Sequence, residues 1–144
     1  ARRFVTAFMG LLDPREHQMW YRSAGQGPLL HYHAADQRCE WFGASTIPLG
    51  VMESPPGEMP DPIPLETGDW LVLLTDGFHE FANPGGQMFG THRIEQIITE
   101  NANHSAETAL DRLVTALHDF AQGAPQKDDL TAILLRRNDI EPGE

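Results

Sequence analysis

The chain has 144 residues, 40% of them hydrophobic, which is enough for one domain, or part of one, with a real core. Its 21 acids against 10 Lys and Arg give a formal charge of −11, a surface that repels nucleic acid and anionic membranes and favours cations or a basic partner. No apolar run is long enough to span a bilayer, and no N-terminal stretch has the layout of a signal peptide. The one cysteine, Cys39, cannot make an internal disulfide, which fits a reducing compartment such as the cytoplasm. The chain opens on Ala1-Arg2-Arg3 with no initiator Met, so a piece of something longer is expected.

Phe4 to Leu12 is apolar on both alternating faces and reads as an interior strand. Asp13-Pro14-Arg15-Glu16 is a turn, with Pro presetting φ. Gln18 to Ala24, Leu29 to His33 and Gln37 to Phe42 read as three more strands at regular spacing, so residues 3–42 are expected to form an antiparallel meander. Residues 43–64 carry Pro48, Pro55, Pro56, Pro60, Pro62 and Pro64, a density that no helix or central strand survives. They read as a long surface loop, either functional or a loose connector. Ile63 to Glu66 is an edge strand at its end.

Trp70-Leu71-Val72-Leu73-Leu74-Thr75-Asp76-Gly77 is an apolar run that ends in an acid and a glycine. It reads as a strand buried on both faces, within a strand-and-turn unit over residues 65–80. The carboxylate at its end is either a turn former or a group held rigidly for work, such as a metal ligand. A polar, turn-rich stretch follows through Asn83-Pro84-Gly85-Gly86. Residues 91–122 then hold two helices. The first runs from Thr91 to Asn101. The second has Ser105 as N-cap, a stripe of Ala106, Ala109, Leu110, Leu113, Val114, Leu117 and Phe120, and Gly123 as its stop. Asp128-Asp129 opens a last strand, Leu130 to Leu135, within residues 129–137.

Acids therefore stand at two strand ends, Asp76 after one run and Asp128-Asp129 before another. If the two strands are antiparallel neighbours, the acids share one rim of the sheet. Carboxylates gathered without basic partners repel one another, and a divalent cation resolves the repulsion. Mg²⁺ and Mn²⁺ suit oxygen ligands, and a pair of such ions lowers the pKa of a water and places it for attack on phosphorus. Other sites weigh less. His31 and His33 share one strand face, but no third zinc ligand is evident, so a solvated face is the preferred reading. Gly25-Gln26-Gly27-Pro28 lacks the lysine of a phosphate loop and reads as a turn. His79 lies near Asp76 and reads first as a loop residue, with action on a leaving group as the alternative. No G-x-S-x-G elbow accompanies any Ser-His-Asp set.

Several stretches, in order, carry a family resemblance: 4–14 (FVTAFMGLLDP), 21–28 (YRSAGQGP), Leu49-Gly50, Leu65-Glu66-Thr67-Gly68-Asp69, 74–80 (LTDGFHE), 83–90 (NPGGQMFG) and Asp128-Asp129-Leu130-Thr131. The chain resembles the C-terminal part of the bacterial stage II sporulation protein E-like phosphatases, a branch of the metal-dependent (PPM) Ser/Thr protein phosphatases. The resemblance implies an α+β fold, an antiparallel β-sandwich flanked by helices, here lacking its N-terminal strands and helix. It implies Asp76 and Asp128 as metal ligands, supported by Gly77, Asp129 and Thr75, and Mn²⁺ or Mg²⁺ as cofactor, two ions in the complete domain. The implied reaction is hydrolysis of phosphoserine or phosphothreonine by metal-activated water. The implied substrate is a signalling phosphoprotein such as an anti-sigma-factor antagonist, with a sensor or receiver domain upstream.

Two departures stand out. Gln26 stands where the Ser-Ala-Gly stretch usually continues with His. The family's earlier G-D-x-x-G motif, with its further metal-binding Asp, is absent, so that Asp is expected upstream of Ala1. The 144 residues alone are then expected to be inactive. Exposed sheet edges invite pairing with a second copy, a homodimer. A non-catalytic module that keeps the phosphatase fold to grip a signalling partner is the competing reading. A two-metal nuclease fits the acidic charge poorly.

Overall fold

The turn after the first strand shows how local chemistry sets up the sheets. In this computed structural model, which describes residues 3–53 and 60–138, strand β1 (Ala7–Asp13) turns into β2 (Gln18–Ala24) through the Asp13 side chain. Its Oδ1 accepts from the backbone N–H of Arg15 (2.9 Å) and Glu16 (3.1 Å), the Asx geometry that makes Asp a turn former. The strands pair antiparallel from Ala7 opposite Ala24 to Asp13 opposite Gln18. A two-residue strand β5 (Ile63–Pro64) adds to the far side of β2, where a proline is tolerated because the strand is an edge.

The second sheet has the order β4-β3-β6-β7, all antiparallel, from β3 (Leu29–His33), β4 (Arg38–Phe42), β6 (Trp70–Leu74) and β7 (Ala132–Arg136). The expected four-strand meander over residues 3–42 is therefore corrected to two hairpins in two sheets. Gly25, at φ 66°, and the cis Gly27–Pro28 bond lie where the chain leaves one sheet for the other. Regular strand spacing cannot tell a neighbour in the same sheet from a partner packed face to face. Met19 and Tyr21 of β2 bury against Leu29 and Leu71, so these hairpins meet through side chains rather than through backbone pairing.

The interior position expected for Phe4 to Leu12 is also corrected. β1 is an edge strand, and Met9 and Leu11 are 76% and 69% exposed. Apolar residues on both faces reveal a strand that can be covered twice, not what covers it. Ile133 and Leu135 of β7 are likewise half exposed.

The described part of the proline-rich loop is pinned rather than loose. Val5 and Leu49 exchange two backbone hydrogen bonds, and Thr46 bonds to Ser23 and Gly25. Pro55, Pro56 and Gly57 lie outside the described residues.

Helices α2 (Gly90–Glu100) and α3 (Ala106–Ala121) cover the other face of the four-stranded sheet. Ile94, Ile98, Ala109, Leu113 and Leu117 bury against Leu30, Tyr32, Trp70, Val72 and Leu74, while Val114 falls off the stripe and is partly exposed. Trp70 is fully buried, and its indole N–H donates to Ala102 O at 3.2 Å. Ser105 caps α3 by accepting from Thr108 N at 3.1 Å. Ser105→Ala removes that acceptor and should lower stability by about 1 kcal/mol, read as a shift in the urea midpoint with an unchanged slope.

Candidate metal centre

Strands β6 and β7 are antiparallel neighbours, with Leu74 opposite Ala132. The chain thus leaves β6 at Thr75-Asp76 beside the place where Asp128-Asp129 leads into β7. Thr75 stitches the two connections together. Its backbone N–H donates to Thr131 O at 3.0 Å, its hydroxyl donates to Asp129 O at 2.9 Å, and the same hydroxyl accepts from Thr131 N at 3.0 Å. Thr75 occupies the N-cap of a one-turn helix, α1 (Asp76–His79), yet its hydroxyl makes no cap bond. The group that usually closes a helix end is spent on holding two loops in register.

Gly77 packs directly on this seam. A Cβ placed there would sit 2.6 Å from Asp129 O, closer than side-chain carbons come to backbone oxygen. A glycine is required by this approach. Phe78, 2% exposed, drives α1 into the helix-side core, and Glu80 N bonds to Asp76 O at 2.9 Å. The backbone of Asp76 is therefore held while its side chain faces solvent, with Oδ1 accepting from Gly77 N at 3.0 Å. Asp128 and Asp129 are exposed too. Asp129 meets the seam through its carbonyl, not its carboxylate. A pocket of ≈ 220 Å³ lies against Gly77, Glu80, Phe81, Lys127 and Asp128.

The Ser-Ala-Gly loop reaches the same end of the sheet. Gln26 Nε2 donates to Leu74 O at 3.4 Å, one residue from Thr75, and the Ser23 hydroxyl donates to Gln26 O. The family departure at position 26 thus stands beside the rim. Among the described residues His79 Nδ1 is buried without a hydrogen-bond partner, and its Nε2 is 3.9 Å from Glu80 Oε1.

Among the described residues the rim acids do not close into a group of three ligand atoms within 4.8 Å; the one such group is His31, His33 and Glu40. The exposed carboxylates of Asp76 and Asp128, all oxygen, suit a hard divalent ion but supply fewer ligands than its six or more positions. His31 is 1% exposed, so the solvated strand face expected for it is corrected. The missed neighbour is Asp69, 2% exposed, whose carboxylate accepts from Ala34 N (2.8 Å) and Glu66 N (3.0 Å) and lies 3.0 Å from His31 Nε2. Asp69 precedes an apolar strand just as Asp129 does, and only burial tells their roles apart.

The stage II sporulation protein E (SpoIIE) family model matches residues 1–138. The chain belongs to the SpoIIE family. Among relatives, Protein IcfG of Synechocystis is 30% identical over 138 residues, covering 94% of this chain and 21% of IcfG. Phosphoserine phosphatase RsbU of Bacillus subtilis is 29% identical over 137 residues, covering 95% of this chain and 40% of RsbU. The SiaA-PP2C domain of Pseudomonas aeruginosa superposes with a TM-score of 0.77 at 22% identity, over 92% of this chain and 52% of that one.

The SpoIIE-family chain therefore carries part of a PP2C-type (PPM) fold and spans about half of that solved domain. It spans less than half of the length of either curated relative. Two antiparallel sheets with helices on one side, and acids on the rim between β6 and β7, are the part of the fold in hand. Among the described residues, no helix is long and apolar enough to cross a membrane.

Proposed function

We infer that this SpoIIE-family chain is part of a metal-dependent protein Ser/Thr phosphatase domain, with Asp76 and Asp128 as ligands to Mn²⁺ or Mg²⁺. The observation that carries the reading is the seam at Thr75, which brings the Asp76 turn and the Asp128-Asp129 turn to one rim across more than fifty residues of chain. When bound, a pair of such ions supplies a water of lowered pKa and neutralises charge on a phosphoryl group. The chain's own residues hold the geometry. Asp76 and Asp128 present oxygen, Gly77 lets one turn approach the other, Thr75 locks the approach, and Asp129 supports it through its carbonyl.

The substrate class is a phosphoserine or phosphothreonine protein in a signalling pathway, such as an anti-sigma-factor antagonist, with a sensor or receiver domain upstream controlling access. The rim supplies too few ligands alone, so a further aspartate from outside these 144 residues completes the site, and two ions bind there. The exposed apolar strands β1 and β7 leave surface for the rest of the domain or for a second copy.

Turnover of p-nitrophenyl phosphate and of a phosphoserine peptide with Mn²⁺ tests this reading. The protein that includes the residues preceding Ala1 is expected to be active and the 144-residue chain inactive. Activity of the bare chain that Asp76→Asn abolishes would refute the need for an outside aspartate. A second reading, a phosphatase-fold module that only grips a partner, draws on the open spacing of the rim acids. Calorimetry with Mn²⁺ on the longer protein separates the two, since the module binds no ion.

A further inference from the structure

The three ligand-type side chains that do stand close together lie at the other end of the sheet. His31 faces Leu71 and precedes Tyr32, which faces Trp70, whereas Asp76 follows the opposite end of β6. His31 and His33 project from one face of β3, their rings 3.8 Å apart, and Glu40 comes from the paired strand β4, opposite His31. One nitrogen from each histidine and one oxygen of Glu40 lie within 4.8 Å of one another. We propose that His31, His33 and Glu40 form a binding site for a transition-metal ion of the Zn²⁺ class, distinct from the rim of Asp76 and Asp128.

Two imidazoles and one carboxylate are a set that Zn²⁺ takes as three protein ligands, with a fourth position for water. The support behind His31 is what such a ligand needs. Buried Asp69 lies 3.0 Å from one of its ring nitrogens and is itself clamped by two backbone N–H groups, which fixes the ring's orientation and tautomer.

A cation already stands there. Arg38 Nη2 is 3.0 Å from His33 Nε2 and Arg38 Nη1 is 3.1 Å from Glu40 Oε2, while His33 Nε2 is itself 3.1 Å from that oxygen. Half-exposed Arg38 does for Glu40 what an ion would do. It has a second partner, Asp36, 3.5 Å from its Nε, to turn to when displaced. A metal therefore exchanges one cation for another without leaving a charge buried and unpaired. It ties strand β3 to strand β4 through their side chains.

Titration of Zn²⁺ into the chain by calorimetry, with Co²⁺ absorption as a reporter of tetrahedral nitrogen and oxygen ligands, tests the site. One ion per chain is expected. His33→Ala and Glu40→Gln, both at partly exposed positions, should each weaken Zn²⁺ by about 100-fold or more, since even outer-shell losses cost 10–100-fold. Arg38→Ala should tighten it, and Asp76→Asn should leave it unchanged. Far-UV circular dichroism verifies that each variant is folded. Absence of micromolar Zn²⁺ binding, or binding indifferent to both His33→Ala and Glu40→Gln, would overturn the proposal.

Discussion

Asp76→Asn, made in the protein with the residues that precede Ala1, should cut Mn²⁺-dependent phosphatase turnover by at least about 100-fold, because ligand loss costs more than the 10–100-fold of an outer-shell change. The substitution removes a negative charge and a strong oxygen donor while keeping the side chain's shape. Asn Oδ1 can still accept from Gly77 N, the one local bond this side chain makes to the start of α1. Asp76 is exposed, so stability should move by no more than about 0.5 kcal/mol. Steady-state turnover and a urea midpoint on the same preparations check both halves. A variant that keeps its activity with the midpoint unchanged would remove Asp76 from the metal site.

Gly77→Ala tests the seam rather than the ligand. The new methyl meets a backbone carbonyl, Asp129 O at 2.6 Å, with Leu130 Cδ2 at 3.3 Å behind it. Neither turn can rotate away as a flexible side chain would, so the two loops must part. Overpacking of this kind costs about 1–3 kcal/mol. Parting the turns also moves Asp76 relative to Asp128, and a displacement on the order of 1 Å at a reacting centre costs about 10²-fold in rate. The expected result is a lowered urea midpoint together with weaker Mn²⁺ binding and lost turnover. Wild-type midpoint and Mn²⁺ affinity would show that the seam yields without cost and that Gly77 does not hold the rim.

The rim acids are legible in the sequence because each sits at a boundary that composition marks. An apolar run that stops at Thr75-Asp76-Gly77, and another that starts after Asp128-Asp129, are local signals. The bonds that join them are not. Thr75 reads as an unremarkable residue between a strand and a turn, and its three bonds to Asp129 and Thr131 span more than fifty positions. The misjudged histidines follow the same logic. His31 alternates with apolar neighbours as a half-buried strand residue does, and nothing nearby names Asp69 as its partner.

The sequence by itself determined the long strands and the two long helices, where α3 begins at Ser105, and that carboxylates stand at strand ends; the one-turn helix α1 it read only as part of a turn. These follow from period, capping and turn chemistry, all of which act within a few residues. It also carried the ordered motifs of the SpoIIE family across nearly its whole length. Only the tertiary structure decided that the first four strands divide between two sheets, that β1 lies at an edge, and that Asp69 is buried behind His31 while Asp76 faces water. The physical reason is that alternation encodes which face of a strand seeks burial, whereas the identity of the covering surface is settled by packing between segments far apart in the chain.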